Sequence, residues 1–349
     1  MLFKGFWENL EKPIIGLSPM DGVTDAAFRY MMAKYSKPAV SITEFTNVEG
    51  LARGASEMLK AFLYDDIERP VVAQLYGVEV DSYYKCAVML CEMGFDGIDI
   101  NMGCPANKVA KKGSGAALIK TPELAKELIR TCKRAVKDWS EGLTMEQAGG
   151  HEDVIARVRE ILAGKVFEKR MIPVSVKTRI GFDEVIAEEW TKQLLEELPA
   201  NITMHGRTLR QMYMGKADWE AIARAAAVAR GSGVSFLGNG DIASMEDAHE
   251  KVAQYGVDGV LVGRSTFGEP WFFKGYKPTV EERFEVLQEH CRYFEQLGHL
   301  PFHVIKKHLA WYCKEFSGAR DLRKNLMQVE NSQDVKSVLA NFRNGTQET

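Results

Sequence analysis

No run of eighteen consecutive apolar residues occurs in this 349-residue chain, so no segment is long enough to cross a bilayer as a helix. The opening residues, Met1-Leu2-Phe3-Lys4-Gly5-Phe6-Trp7, lack the basic, then apolar, then small order of a secretory leader, and a cytoplasmic protein with no membrane partner is expected. No Cys-x-x-Cys pair exists among the six cysteines at 86, 91, 104, 132, 291 and 313, which are expected to be free thiols in a reducing compartment. Pro301 stands between His299 and His303 and disfavours the single helical face that ligation by that pair needs. No metal is expected. Neither charge dominates: 45 basic against 48 acidic residues leave a net charge of −3. That balance argues against a generic polyanion binder while allowing a local basic surface.

A Gly-x-Gly-x-x-Gly turn is also missing after the first apolar run, where Ser18-Pro19-Met20-Asp21-Gly22 stands instead, which argues against a dinucleotide-binding doubly wound sheet. Eight short apolar or β-branched runs do occur, at 14–17, 40–43, 71–75, 97–101, 174–178, 201–205, 234–239 and 259–263. Most are separated by helix-like stretches, at 24–34, 82–93, 122–137, 183–197, 218–230 and 245–255. Eight such βα units predict an α/β fold of the TIM (β/α)8 barrel type. Pro122 after Thr121 reads as a capped helix start, and the longest gap, after the fourth run, holds an extra segment at 138–170 with a helix at 152–162. Its linker, 142–150, reads as mobile. From Thr279 the pattern is helical only, at 279–296, 302–316, 319–327 and 332–343, and Thr279 with Glu282 reads as a capping box. The expected organisation is a barrel over 1–275 followed by a small all-α domain over 276–349.

The ends of the barrel strands are the catalytic face of this fold. Each expected strand carries a polar or turn group there: Pro19-Met20, Glu44, Gln74, Asn101 with Cys104, Lys177 with Arg179, His205 with Arg207, Asn239, and Gly263-Arg264. Asp99-Ile100-Asn101-Met102-Gly103-Cys104-Pro105 runs a strand into a tight turn, so the thiol is held at a strand end where a ligand can reach it. Gly238-Asn239-Gly240-Asp241 and Gly263-Arg264 suit a phosphate site built from the last two loops, with Arg264 as a planar clamp. Gln74 can both donate and accept at the edge of a pyrimidine-like ring, and a lysine such as Lys177 stabilises an anionic reduced flavin beside its N1/O2 edge.

These residues resemble the tRNA-dihydrouridine synthases, most nearly the bacterial B-type branch. The resemblance rests on Ser18–Asp25, on Asp99–Pro105 continued through Ala106-Asn107-Lys108-Val109 and Gly113-Ser114-Gly115-Ala116, and on Val176-Lys177-Thr178-Arg179-Ile180-Gly181. His205-Gly206-Arg207-Thr208, Tyr213–Trp219, Gly238–Asp241, Val262-Gly263-Arg264, Lys307–Tyr312 and Gly318–Arg323 extend it over nearly the whole chain. Asp21 where alanine is usual, Phe45 where methionine is common and the longer 138–170 segment are departures.

The resemblance implies a flavin-dependent oxidoreductase that uses FMN, with NADPH as reductant, to reduce the C5–C6 bond of selected tRNA uridines. It implies that Pro19, Met20, Asp21, Gln74, Lys177, His205, Asn239, Gly240, Asp241, Gly263 and Arg264 hold FMN and that Cys104 is the proton donor. Asn101 is then expected against the flavin or the uracil, with Lys108, Arg179 and Arg207 on the substrate side. C6 of uracil is the electrophilic end of an enone, so hydride enters there, charge builds toward C5 and O4, and an acid must protonate C5. A thiol with an ordinary pKa near ~8.5 is protonated at neutral pH and can serve.

A stacked uridine must be extruded to reach a barrel mouth, and RNA shape and backbone then carry recognition. Between His299 and Leu326 the tail has six basic residues (Lys306, Lys307, Lys314, Arg320, Arg323, Lys324) and two acidic ones (Glu315, Asp321). Lys306, Lys307, Arg320 and Arg323 are therefore expected to contact tRNA, with Lys108, Lys111 and Lys112 as a second basic stretch. No protein partner can be inferred. Two other readings compete: a small-molecule FMN oxidoreductase of the dihydroorotate dehydrogenase type, which needs no basic tail, and a catalytically silent RNA-binding module, which needs no Cys104, Lys177 or His205.

Overall fold

The computed structural model describes residues 2–212 and 214–347, apart from the side chains of 107, 108 and 345–347. Tyr213 and the side chain of Lys108 thus lie outside the described residues. Eight parallel strands close into a barrel in chain order: β1 (Ile14–Leu17), β2 (Ser41–Asn47), β3 (Val71–Tyr76), β4 (Gly97–Met102), β5 (Val174–Arg179), β6 (Asn201–His205), β7 (Ser235–Asn239) and β8 (Gly259–Val262). The expected TIM barrel is present. β2 runs on to Asn47 because its register shifts between Ile42 and Phe45. That irregularity breaks the apolar pattern on which the shorter sequence reading relied.

The short 3-10 turn Gly5–Glu8 seats Trp7 in one cluster with Ile14, Ile42, Val72, Leu237 and Leu261. Five strands contribute to that cluster, which fixes the inward face of each. Trp7, in the opening segment, is therefore part of the core. Side chains alternate along a strand, so Gln74 follows Val72 inward, and Ser235 and Asn239 flank Leu237 inward. Register pairing extends this face through Gln74↔Asp99, Asn101↔Lys177, Lys177↔Thr203 and His205↔Asn239. One end of the lumen is consequently apolar, and its upper part is lined by amides, hydroxyls, one carboxylate and one ammonium.

Helices Val80–Glu92, Pro122–Ser140, Ala187–Leu195, Trp219–Ala229 and Met245–Tyr255 follow the strands. Pro122 occupies the start of its helix, but Thr121 makes no side-chain cap. Helix Glu152–Leu162 lies where the sequence places it. The 142–150 linker is hydrogen-bonded rather than loose: Gly142 N–H donates to Trp139 O, Gly149 N–H to Glu146 O and Gly150 N–H to Met145 O, and Met145 is buried. No helix among the described residues is long and apolar enough to cross a membrane.

The chain divides into two compact units, Met1–Ala26 with Pro38–Gly263, and Ala27–Lys37 with Arg264–Thr349. Residues 264–275, assigned to the barrel from sequence, group with the helices. So does 27–37, which the sequence presents as an ordinary βα helix. In that second unit Ser36 Oγ donates to Pro270 O at 2.6 Å, Tyr35 Oη donates to Glu289 Oε2 at 2.6 Å, and Trp271 and Met31 share a core with Phe284, Leu287, Leu309 and Leu322. Helix Val280–Leu297 begins with the expected capping box, Thr279 Oγ1 accepting from Glu282 N–H and Glu282 accepting from Thr279 N–H. The expected helix at 302–316 is a 3-10 turn, Phe302–Ile305, followed by helix Lys306–Tyr312.

Candidate active site

Four strands build one polar array at the C-terminal end of the lumen. At the end of β4, Asn101 Oδ1 accepts from Gly103 N–H at 3.0 Å and from Cys104 N–H at 2.8 Å. Its Nδ2 donates to Gln74 Oε1 at 2.9 Å, and Gln74 Nε2 donates to Asp99 Oδ2 at 2.7 Å. The Cys104 turn is also held from the β5 side, where Arg179 Nε donates to Gly103 O at 2.6 Å and Thr178 Oγ1 donates to Met102 O at 3.1 Å. Cys104 O in turn accepts from Ala116 N–H. Gly115 crosses so close, at φ +61°, that a Cβ there would lie 2.9 Å from Cys104 O. Cys104 is 9 % exposed on this turn.

Lys177 Nζ donates to Asn239 Oδ1 at 3.1 Å, and Asn239 Nδ2 donates to Leu261 O at 2.8 Å. Burial, helped by the neighbouring Arg179 charge, pushes Lys177 down to about 8 against the pull of Asp99 and Cys104. Burial pushes Asp99 up to about 7, opposed by the Gln74 hydrogen bond and by Lys177. The carboxyl is thus pushed up and the ammonium down within one site, a pattern concentrated at functional sites.

Arg207 is buried, and its Nη2 donates to both Asp241 oxygens, at 2.7 and 3.0 Å. It also donates to Met214 O and Gly215 O, and its Nη1 lies 3.3 Å from His205 Nε2. Asp241, at φ +52°, also accepts from Ala217 N–H. The geometry ties residues 214–217 to the end of β7. Arg179 is equally committed, donating to Thr208 O and Met212 O as well as Gly103 O. Gly240 has φ +127°, and a Cβ there would meet His205 at 3.1 Å and Ala217 at 2.7 Å, so the backbone packs directly against both and only glycine fits. At the first strand, Met20 O accepts from Val23 N–H and Thr24 N–H, and a Cβ on Gly263 would touch Met20 Sδ. Pro19 lies in the same partly buried turn, while Asp21 is exposed at its tip.

The structure thus brings Met20 with Gly263, Gln74 with Asn101 and Cys104, and Lys177 with Asn239; His205, Arg207, Gly240 and Asp241 form a further group. Arg264 opens the second unit and is exposed there. In that unit Lys306 donates to Met327 O, Arg323 to Cys313 O, and Lys314 to Phe267 O and Glu269. Arg320 and Lys324 stand exposed, and Lys307 is half-buried. The residue that sequence reasoning passed over is Asp99. Its signal was a carboxylate in the inward phase of Gly97-Ile98-Asp99-Ile100-Asn101, whose isoleucines face the other way.

Fold and site together define a β/α-barrel protein with an enclosed thiol, amide and ammonium array at the strand ends. The chain belongs to the dihydrouridine synthase (Dus) family, whose model matches residues 16–144 and 151–347. A probable tRNA-dihydrouridine synthase of Staphylococcus aureus (strain MRSA252) is 31% identical, covering 97% of this chain and 96% of the relative. Probable tRNA-dihydrouridine synthase 2 of Bacillus subtilis (strain 168) is 30% identical over 97% of each chain. Among solved structures, a variant of NCR from Zymomonas mobilis is similar at 17% identity and a TM-score of 0.43, covering 77% of this chain and 90% of its own.

The raised Asp99 value gives a signed pH dependence. Between its ordinary 3.8 and about 7 the folded chain holds this proton more tightly than the unfolded chain, so folding stability falls as pH rises through that window. Asp99→Asn removes the fall. The stability difference measured by urea unfolding should move in the variant's favour by up to about 4 kcal/mol between pH 4 and pH 8. Parallel profiles for variant and wild type would show that Asp99 titrates at its ordinary value.

Proposed function

We propose that this chain is a tRNA-dihydrouridine synthase that reduces the C5–C6 bond of a uridine in tRNA, with FMN as cofactor and NADPH as reductant. The observation that carries the reading is the Cys104 thiol, fixed through its own backbone N–H to Asn101 on the strand beside Lys177. Membership of the Dus family supports it. It also weighs against a small-molecule dehydrogenase and a silent RNA-binding module, the latter opposed too by the presence of Cys104, Lys177 and His205.

The residues present suit a flavin mononucleotide. Lys177, half-buried, has its ammonium fixed by Asn239 and offers a donor to a ring edge, and Gln74, Gly240 and Gly263 are assigned to the same cofactor. Pro19, Met20, Asp21 and His205 are assigned to it as well. A reduced flavin held there would supply the hydride that enters at C6 of uracil. Lys177, as a cation, stabilises negative charge at the cofactor's N1/O2 edge. Cys104 gives its S–H proton to C5 and recovers a proton from solvent, so one hydride and one proton are added across the bond. Asn101 and Arg179 keep the thiol in place, and Arg207 holds the Asp241 loop. For the two arginines this positioning role replaces the direct substrate contact expected from sequence.

The helical unit is assigned the tRNA backbone. Three of its six local basic side chains, Lys306, Lys314 and Arg323, already serve its own carbonyls. Arg320 and Lys324 stand exposed and are assigned the phosphates.

Cys104→Ala is expected to bind FMN and accept electrons from NADPH as wild type does, while forming dihydrouridine about 10²–10⁴ times more slowly, as loss of a general acid does. Single-turnover assays on unmodified tRNA check this, and near wild-type turnover would remove Cys104 from the chemistry. Replacing Arg320 and Lys324 with Ala in the full chain should weaken tRNA binding. It should also flatten the log–log salt slope by about 0.7–0.9 per lost phosphate contact. An unchanged slope would move the docking role away from these two residues.

A further inference from the structure

Asp99 has no part in the scheme above, yet it sits mid-strand in β4, fully buried, facing the lumen between the apolar plug and the Cys104 turn. We propose that Asp99 is a positioning residue for Cys104, acting as the terminal acceptor of a one-way amide relay that passes through Gln74 and Asn101. The assignment builds on the reading of Cys104 as the acid, but the relay is a statement about geometry and stands or falls separately.

The sense of the relay is forced from its outer end. Backbone N–H groups of Gly103 and Cys104 can only donate, so Asn101 must turn its Oδ1 toward them. That leaves Nδ2 facing Gln74, which must answer with Oε1. Gln74 Nε2 is then aimed at residue 99, and only an acceptor there completes the run. Reversing either amide would set an NH₂ group against N–H donors. Gln74 is fully buried and Asn101 nearly so, so a broken link leaves a desolvated donor or acceptor rather than a group rescued by water. The relay lets an amide orientation in the closed interior dictate the position of a thiol at the mouth.

What the relay requires of residue 99 is an acceptor, not a charge. Asparagine can present its own carbonyl oxygen to Gln74, and its amino group would face Ser175, whose Oγ is buried without a partner among the described residues and lies opposite in register. Leucine fills similar space and accepts nothing. An electrostatic role for Asp99, acting on Lys177 across the site, makes the opposite forecast, because both substitutions remove the charge.

The test is hydrogen exchange at the Gly103 and Cys104 amides of the full chain, with iodoacetamide labelling of Cys104 followed by peptide mass spectrometry. Asp99→Asn should stay within about threefold of wild type in both readouts. Asp99→Leu should raise both by about tenfold or more, the loss expected from one buried hydrogen bond of ~1.4 kcal/mol. Amides of β5 and of helix Pro122–Ser140 should stay unchanged. Wild-type protection in Asp99→Leu, or equal loss in Asp99→Asn and Asp99→Leu, would overturn the relay. Should Asp99→Leu fail to fold, Gln74→Met cuts the same run one step earlier, and unaltered protection at Gly103 and Cys104 there would also overturn it. Neither readout involves turnover, so a failed relay leaves the acid role of Cys104 to its own assay.

Discussion

The structure turns on how one side-chain carbonyl, Asn101 Oδ1, ends a strand. By accepting two successive backbone N–H groups it converts the exit of β4 into a fixed turn, and the residue delivered by that turn is a cysteine. Without it, Gly103 and Cys104 would be the first two residues of a loop, with the conformational freedom that loops have. Arg179 secures the same turn through the Gly103 carbonyl, so both sides of the peptide are engaged. The turn that carries Cys104 is therefore held from both sides.

That rigidity depends on a barrel whose interior is divided. Trp7 and the aliphatic residues around it close one end, which lets the upper lumen hold Asp99, Gln74, Asn101, Lys177 and Asn239 within one enclosed network. Enclosure brings the carboxyl and the ammonium toward neutrality from opposite directions.

Much of this was legible in the sequence. Eight apolar runs ending in polar groups define the barrel and its active face, because strand alternation and parallel closure place those ends together. Cys104, Lys177 and Asn239 could be picked out for the same reason. The second unit was less legible at its margins. Helix Ala26–Ser36 carries the signals of any βα helix, and only the tertiary partners Pro270, Trp271 and Glu289 group it with the tail. Arg179 and Arg207 looked like substrate residues because charge at a strand end is visible in sequence, whereas the carbonyls and the Asp241 carboxylate that occupy them are set by loops folding back. Asp99 was visible as a letter but not as a role, since the amide run it terminates joins residues on two strands.

The central claim is that the uracil lies between a flavin that gives hydride to C6 and the Cys104 thiol that protonates C5. A planar ring held between two donors receives its hydrogens on opposite faces. The direct measurement is the relative configuration of the two new hydrogens in dihydrouridine made from tRNA whose target uridine carries deuterium at C5 and C6, read from their coupling by NMR. Addition to opposite faces is the predicted result. Addition of both hydrogens to the same face would contradict the placement of Cys104 across the ring from the cofactor.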